Sequence, residues 1–256
     1  YTQEETDKSK LYNWLWGKRY RKDYGKKVNA PTVNLDTLFG GLTPVRKGGG
    51  QQSKSLRLKD SLGREYTMRA LRKNALQFIQ ANAFKENYIQ EEFDNTVTQE
   101  FVLDIFSGSQ PYAPFTIGTL ADAIDISHTN PKLYYIPKQK ALKAFNNDFG
   151  DELYMIEKRV ATSQRETTSF GNPDKIISTH DMLQKLRKNS KHVIDEETYI
   201  RARLFDMLIG DWDRHQDQWR WAVFKKEDKT TYKPIPRDRD QAFSIMNDGV
   251  ILNTAT

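Results

Sequence analysis

The sequence contains no cysteine, few histidines and no long apolar run, and each absence narrows the kind of protein it can encode. With zero cysteines among 256 residues, the chain has neither disulfides nor thiolate-bound metal, which says little about its compartment. Four histidines spread along the chain disfavour an all-histidine zinc site. No window approaches the roughly 18 uninterrupted apolar residues that a membrane helix needs. The chain also lacks an initiating methionine and a signal-peptide pattern, which is typical of a processed product or an expressed fragment.

Composition and charge favour an anionic small-molecule partner. Hydrophobic residues make up 37% of the chain, which is adequate for one two-lobed domain or two small ones. The net charge of +6 suits a nucleotide, but it is too mild to indicate DNA binding. Residues 1–34 form a basic and aromatic arm that could track a nucleic-acid backbone. The more common role of such an arm is to pack its rings on the domain and leave its charges in water, so nucleic acid is the less favoured partner.

Residues 43–71 have the pattern of strand, glycine loop, strand, turn and strand. The loop residues Gly48, Gly49 and Gly50, followed by Gln51, let backbone amides approach phosphates because no Cβ blocks them. The third strand offers two cations of the same parity, Arg69 and Lys73. A guanidinium can bind phosphate through two parallel hydrogen bonds. We therefore predict that this loop, these two cations and a nucleotide meet in one site.

The second half of the chain leads into an acidic loop through a predicted helix. Residues 74–106 are largely helical in pattern, and a later helix begins after Asp195, whose neighbouring acids suit a helix N-terminus. In that later helix Ile200, Leu204 and Leu208 recur every four residues, which predicts a buried stripe.

Two acidic loops carry the chemistry. Asp213 precedes Gln218 by five residues, and a hairpin pattern then leads to Asp238 and Asp240. Carboxylates this dense repel each other unless a cation or proton offsets them. Enzymes of the kinase type use an aspartate that accepts the substrate hydroxyl proton, an amide five residues later that binds metal, and a further metal-binding aspartate. This order predicts Asp213 and Arg69 as catalytic residues, and Gln218, Asp238 and Asp240 as ligands of Mg²⁺ or Mn²⁺.

Other interpretations of the acidic loop explain less. An EF-hand would need glycine and glutamate where Gln216 and Ala222 stand. The Asp-Phe-Gly triplet at 148–150 lies before the loop, whereas a kinase metal triplet follows it, so we interpret it as a turn. We expect Arg214 or His215 to steady the loop and Asp211 to be structural.

Two predictions concern the surroundings of Arg69 and the nucleotide base. Glu157 falls where the connection between two lobes would offer backbone groups to adenine, an inference from chain order alone. Asp104 and Glu100 are both candidates for the acidic partner of Arg69.

The two loops resemble known kinases. Residues 213–218, Asp-Arg-His-Gln-Asp-Gln, resemble the Asp-x-His-x-x-Asn loop of HipA-type kinases and the Asp-Arg-His segment of secretory-pathway kinases. Residues 238–243, Asp-Arg-Asp-Gln-Ala-Phe, resemble the Asp-x-Asp-x-x-Phe motif of CotH spore-coat kinases. Residues 201–215 with 234–240 look more closely like a bacterial envelope family, in which the segment lies beside a metallophosphoesterase or an outer-membrane barrel.

The resemblance covers residues 35–250 and implies an α+β, two-lobed, protein-kinase-like fold. It implies an antiparallel β small lobe at residues 35–158, a mainly helical large lobe at residues 159–256, ATP with Mg²⁺ or Mn²⁺, and a protein hydroxyl as acceptor. A periplasmic or cell-envelope location follows from the resemblance only. In those kinases asparagine stands in place of Gln218 and lysine in place of Arg69.

Three functions remain open at this stage. The first is an atypical kinase-like phosphotransferase, the second a nucleotide-binding or inactive pseudokinase scaffold, and the third a metal-dependent phosphoesterase. Only sixteen residues follow Asp240, too few for the substrate-binding helices of a full large lobe. We therefore expect either a truncated catalytic core or a degenerate binder, and the oligomeric state is left open.

Overall fold

The computed structural model of the chain describes residues 1–49, 52–82 and 96–253. The helices are α1 (Gln3–Thr6), α2 (Lys10–Trp16), α3 (Arg21–Tyr24), α4 (Ala75–Asn82), α5 (Val97–Phe106), α6 (Pro114–Asp122), α7 (Asn146–Phe149), α8 (Thr179–Lys188), α9 (Glu196–Leu208) and α10 (Val250–Asn253). The strands are β1 (Thr43–Lys47), β2 (Ser55–Lys59), β3 (Glu65–Ala70), β4 (Lys132–Ile136), β5 (Glu152–Lys158), β6 (Lys175–Ser178), β7 (His192–Ile194), β8 (Trp219–Lys226) and β9 (Lys229–Pro236). The predictions for Gly50, for Gln51 and for the middle of the 74–106 stretch lie outside the described residues.

The first half of the chain builds an antiparallel sheet of order β1-β2-β3-β5-β4. Side chains alternate between its faces, as the period of two in the sequence predicts. One face is buried in an apolar core that includes Leu56, Leu58, Met68 and Ile156. The opposite face carries Ser55, Arg57, Thr67 and Arg69, which are paired across β2 and β3. The alternation therefore separates the core of this half from its polar face.

The second half contains a four-stranded sheet of order β6-β8-β9-β7, in which β7 runs parallel to β9. Helices α8 and α9 cover it through buried residues such as Met182 and Phe205, which pack with strand residues such as Trp221 and Trp219. The chain is thus α+β with two sheets. Its second half holds more strand than the mainly helical lobe we expected, because β6 and β7 add to the predicted β8–β9 hairpin.

The predicted buried stripe of α9 is wrong. Ile200, Leu204 and Leu208 are 56%, 59% and 81% exposed. The face that packs into the core carries instead Ala202, Phe205 and Ile209. A spacing of four residues marks one side of a helix, but it does not say which of two apolar sides meets the sheet.

The N-terminal arm packs on the rest of the chain, as the favoured interpretation predicts. The hydroxyl of Tyr20 donates to the Phe243 carbonyl at 2.6 Å. One charge of the arm is nevertheless buried, because Arg21 pairs with Asp104 through Nε–Oδ1 and Nη2–Oδ2 contacts of 2.5 and 2.8 Å. Within the described ranges, no helix is both long and apolar enough to cross a bilayer.

Candidate active site between the two sheets

One cation in β3 and one that follows it meet two carboxylates that follow the β8–β9 hairpin: Arg69 lies in the strand, whereas Lys73 lies beyond its end at Ala70 and not in the strand as predicted. The Arg69 guanidinium binds the Asp238 carboxylate through both Nη atoms, with Nη2 3.2 Å from Oδ2. The Lys73 ammonium lies 3.0 Å from Asp240 Oδ2. The fold therefore brings together four residues that the sequence assigned to one site. Arg69 and Asp238 are 169 residues apart in the chain, and Lys73 and Asp240 are 167 residues apart.

Asp238 is held as a charged group in an unusual backbone conformation. Burial by itself raises the pKa of Asp238, but the charge and hydrogen bonds of Arg69 outweigh burial and hold it well below its usual range. Asp238 in turn raises the pKa of Arg69. The backbone of Asp238 has φ 58°, a left-handed value that is uncommon for a residue with a Cβ and is often found at functional sites.

The glycine loop lies at the same end of the sheet as these cations. The Gly48 amide donates to the Ser55 carbonyl at 2.8 Å, and Ser55 is the partner of Arg69 in the β2–β3 register. At the far side of the loop, Gln52 Oε1 lies 3.0 Å from the Lys73 ammonium. Gly49 is exposed with open space around it. The predicted phosphate loop and the predicted phosphate cations are thus neighbours.

Arg214 ties the two acidic loops together. Its side chain is only 2% exposed and donates to the carbonyls of Arg237 and Asp238, both at 2.8 Å. Its Nη2 atom also lies 2.6 Å from Asp211 Oδ2, although this close ion pair lacks the alignment of a hydrogen bond. Arg214 therefore steadies the loop as expected, and Asp211 is a buried structural partner.

Burial raises the pKa of Asp211 to about 7, since the opposing charge of Arg214 offsets the loss of solvent only in part. This carboxylate therefore titrates near neutral pH in the folded protein.

A second buried pair supports the same loops, and the sequence did not reveal it. Asp206 is 1% exposed and accepts from Arg239 Nε and Nη2 at 3.1 and 2.9 Å. Arg203 Nη1 donates to its other oxygen at 3.1 Å. The Arg239 guanidinium also stacks over the Phe205 ring, 4.8 Å from its centroid. Asp206 follows Phe205 on α9, so its burial could have been predicted only if the buried side of that helix were already known.

Two groups of the acidic loop remain available to a ligand. In the described part of the chain, the half-buried Asp213 carboxylate accepts no hydrogen bond, and the buried Gln218 Oε1 has no partner. The backbone amide of Arg237 donates to the Gln218 carbonyl at 3.0 Å, which places Gln218 next to the turn that carries Asp238. Because buried polar atoms usually have a partner, the free Gln218 oxygen suits a cation.

A divalent ion at this position would depend on few protein ligands. The described ranges contain no group of three or more His, Cys, Asp or Glu side chains arranged to hold a metal. The predicted ligands Asp238 and Asp240 are instead paired with Arg69 and Lys73, so the metal site stays a prediction.

Glu157 lies near this centre, where it lines one cavity with Asp238 and Asp240, whereas the other predicted residues have different partners. The partner of Arg69 is Asp238, so neither of the two acidic residues proposed for it was correct: Asp104 pairs with Arg21, and Glu100 is exposed. Glu157 is half-buried in β5 opposite Thr67, and burial raises its pKa against the opposing charge of Arg69.

The Asp-Phe-Gly triplet at 148–150 belongs to the first half, but Asp148 and Phe149 end the short helix α7 instead of forming the predicted turn. Asp148 pairs with Lys47 at 2.6 Å, and Phe149 is buried in the core of the first sheet.

The free space around the carboxylates is small. One cavity of about 20 Å³ is lined by residues that include Asp238 and Asp240. Another of about 40 Å³ is lined by residues that include Arg69, Lys73 and Asp240. With the ion pairs formed, neither space admits a nucleotide, since small-molecule pockets have volumes of about 300–1,000 Å³.

Comparison of the chain with protein-family models, with curated proteins and with solved structures finds no match. The resemblance of the two acidic loops to kinases therefore stays a prediction. Function has to be inferred from the site itself, because a fold alone does not determine it.

Proposed function

We propose that this chain is a kinase-like phosphotransferase that moves a phosphoryl group from ATP to a hydroxyl, with a protein as the favoured acceptor. The observation that supports it best is the ion pair between Arg69 and Asp238. It joins a strand cation next to a glycine loop with a carboxylate that follows a hairpin, beside a loop containing Asp213 and Gln218. Kinase-type phosphoryl transfer uses these groups in this order.

The roles follow from the contacts. Asp213 is half-buried with a free carboxylate, so it can accept the proton of an acceptor hydroxyl and orient its oxygen. Arg69 and Lys73 lie beside the loop that begins at Gly48, where their charges would stabilise nucleotide phosphates. Gln218, Asp238 and Asp240 would hold Mg²⁺ or Mn²⁺, which supplies charge neutralisation at the phosphates.

The two-lobed arrangement supports this assignment at a coarser level. An antiparallel five-stranded sheet precedes a half with helices and a hairpin, and the acidic residues lie where the two halves meet. The fold by itself is compatible with other functions, so the residue contacts carry the proposal.

The test is transfer of label from radiolabelled ATP, with Mn²⁺ or Mg²⁺, to the chain itself or to a generic protein acceptor. We expect Asp213→Asn and Asp238→Asn each to abolish transfer. Asp217→Asn is the matched control, because it removes a charge from the same loop at an exposed position, and it should retain transfer. Label transfer that persists in both of the first two variants would exclude the proposed mechanism.

A second candidate, a scaffold without turnover, is favoured by the closed state of the site. Asp238 and Asp240 are each neutralised by a cation of the first half of the chain, and the cavities beside them are far smaller than a nucleotide. Thermal-shift titration with ATP and Mn²⁺ separates the candidates. Binding without transfer indicates a pseudokinase, whereas the absence of binding indicates a purely structural role. A phosphoesterase stays a hypothesis that free phosphate release, abolished by a chelator, would support.

A further inference from the structure

Four arginines from four separate segments lie beside the Asp238 turn, and together they form what we call the arginine cleft: Arg57, Arg159, Arg220 and Arg237. Arg57 lies in β2 and Arg159 follows β5, on the first sheet. Arg220 lies in β8 and Arg237 follows β9, on the second. All four are half-buried.

Hydrogen bonds place the guanidinium groups in two neighbouring pairs. Arg220 Nη1 and Arg237 Nε donate to the same oxygen, the Asp217 carbonyl, at 3.2 and 3.0 Å. On the first sheet, Arg57 Nη1 donates to Thr67 Oγ1, and Arg159 Nη1 lies 3.1 and 3.2 Å from the Glu65 carboxylate. Because Glu65 and Thr67 are two residues apart in β3, they share one face of the sheet. Each sheet thus contributes a pair.

The two pairs also approach each other. Arg159 from the first sheet and Arg220 from the second line the same open cavity of about 560 Å³. Burial lowers the pKa of Arg57 and of Arg220, and the charge of Arg159 lowers both further. Like charges within reach of each other across the cavity destabilise the arrangement unless a counter-charge enters.

The carboxylates around the arginine cleft do not balance it. Glu65 contacts Arg159 directly, whereas Asp217 and Asp181 act on Arg220, and Asp238 on Arg237, through space. Asp238 is itself bound by Arg69. In the described part of the chain, the Nε atoms of Arg57 and Arg159 are buried and have no hydrogen-bond partner. Both guanidinium groups therefore have a donor that no residue in the described part of the chain accepts from.

The rim of the cavity adds to the positive charge. Its lining includes three exposed lysines, Lys175, Lys185 and Lys188. Its carboxylate, Asp181, already accepts from the hydroxyl of Ser178, which in turn accepts from the Asp181 amide at the start of α8. Guanidinium groups bind phosphate oxygens in a bidentate manner, and several such groups in a row match several linked phosphates.

We propose that the arginine cleft is a binding site for a small anion with two or more linked phosphates, held without a metal ion. The shared chemistry is the phosphoanhydride chain, which an inorganic polyphosphate or the triphosphate of a nucleotide both carry. The inference goes beyond phosphoryl transfer, because neither Asp213 nor Gln218 is needed for this binding.

The test is isothermal titration calorimetry of the whole chain with inorganic tripolyphosphate, in EDTA and at fixed ionic strength. We expect saturable binding that weakens about tenfold or more in Arg220→Gln and in Arg159→Gln, because both arginines line the cavity and each variant loses a charge-assisted hydrogen bond to the anion. Arg187→Gln removes the same charge from an exposed position of α8 and should bind as the unaltered chain does. Circular dichroism melts identify any variant that fails to fold, in which case the other variant carries the comparison.

Further ligands separate the two sources of the anion. Tighter binding of ATP than of tripolyphosphate would support a nucleotide triphosphate, and equal or tighter binding of tripolyphosphate would support a ligand without a base. AMP and orthophosphate should both bind far more weakly. The inference is overturned if tripolyphosphate shows no saturable binding, if orthophosphate binds as tightly, or if Arg187→Gln weakens binding as much as the cleft variants do. Because no transfer is measured, these outcomes are independent of the kinase assay.

Discussion

Replacing Asp206 by asparagine should lower the stability of the protein by weakening the buried ion pair beneath the two acidic loops. The substitution Asp206→Asn keeps the size of the side chain and removes its charge. The Arg239 guanidinium, 6% exposed, would then lose the carboxylate that accepts from its Nε and Nη2 atoms at 3.1 and 2.9 Å. A buried cation without its counter-charge is strongly destabilising, because the protein no longer replaces the water that it lost.

The magnitude follows from this geometry. Two unit charges separated by about 3 Å attract by about 6 kcal/mol at an effective dielectric constant of about 20. Part of this attraction offsets the desolvation of both ions, and breaking such a buried pair from one side typically lowers stability by about 3–5 kcal/mol. We therefore expect Asp206→Asn to lower the free energy of unfolding by about 3–5 kcal/mol.

Urea denaturation followed by circular dichroism measures this change. Glu197→Gln is the matched control, because Glu197 lies on the same helix and is ion-paired, but its side chain is 82% exposed. The control should lower stability by less than about 1 kcal/mol. The double variant Asp206→Asn with Arg239→Met should be less destabilised than the sum of the single changes, because it leaves no buried unpaired cation. A loss for Asp206→Asn as small as that of the control would show that the pair does not hold the loops.

Three further predictions test the packing and electrostatics. Phe205→Ala should lower stability by about 3–5 kcal/mol because the ring is buried. Leu204→Ala, at an exposed position, should change stability by less than about 0.5 kcal/mol. Equal losses of the two variants in urea denaturation would mean that Leu204 is buried as the sequence predicted. Burial raises the pKa of Asp211 to about 7. The folded state therefore binds the proton of the Asp211 carboxyl more tightly than the unfolded chain does. The stability that this difference contributes is present at acidic pH and is lost as pH rises to about 7. Asp211→Asn should remove that part of the pH dependence in thermal melts, and an unchanged profile would contradict the assignment. Arg21→Gln should lower stability by about 3–5 kcal/mol, because it leaves buried Asp104 unpaired, and a neutral result in the same urea assay would show that the arm is not anchored by this pair.

Local pattern predicted the strands of the first half, the β8–β9 hairpin and the start of α9, but not β6 and β7. The alternation of Ser55 to Lys59 placed β2, and its register with β3 put Arg57 and Arg69 on one face. The acidic start predicted after Asp195 matches the N-cap of α9, where the Asp195 side chain accepts from the Thr198 amide. These features depend on neighbours within a few residues, so the sequence contains the information that determines them.

Contacts between distant segments were predicted poorly, and the stripe of α9 shows why. Ile200, Leu204 and Leu208 form a regular apolar face, yet Phe205 and its neighbours face the core. Both sides of the helix are apolar enough to pack, and the choice is made by what the second sheet presents to it. Tertiary context decides such cases, and no property of the helix alone records it.

The partner of Arg69 shows the same limitation at the site itself. Chain order led us to seek its acidic partner on a nearby helix, at Asp104 or Glu100, but Asp104 is already neutralised by Arg21 of the N-terminal arm. Asp240 and Glu157 also lie near Arg69, but Asp238 is the acid that binds it, through both oxygens. The pairing thus results from competition among all charges near the strand. The arginine cleft could not be predicted from the sequence for the same reason. Its four arginines belong to four separate segments, and each has the pattern of an ordinary surface charge. Only the arrangement of the two sheets brings them together.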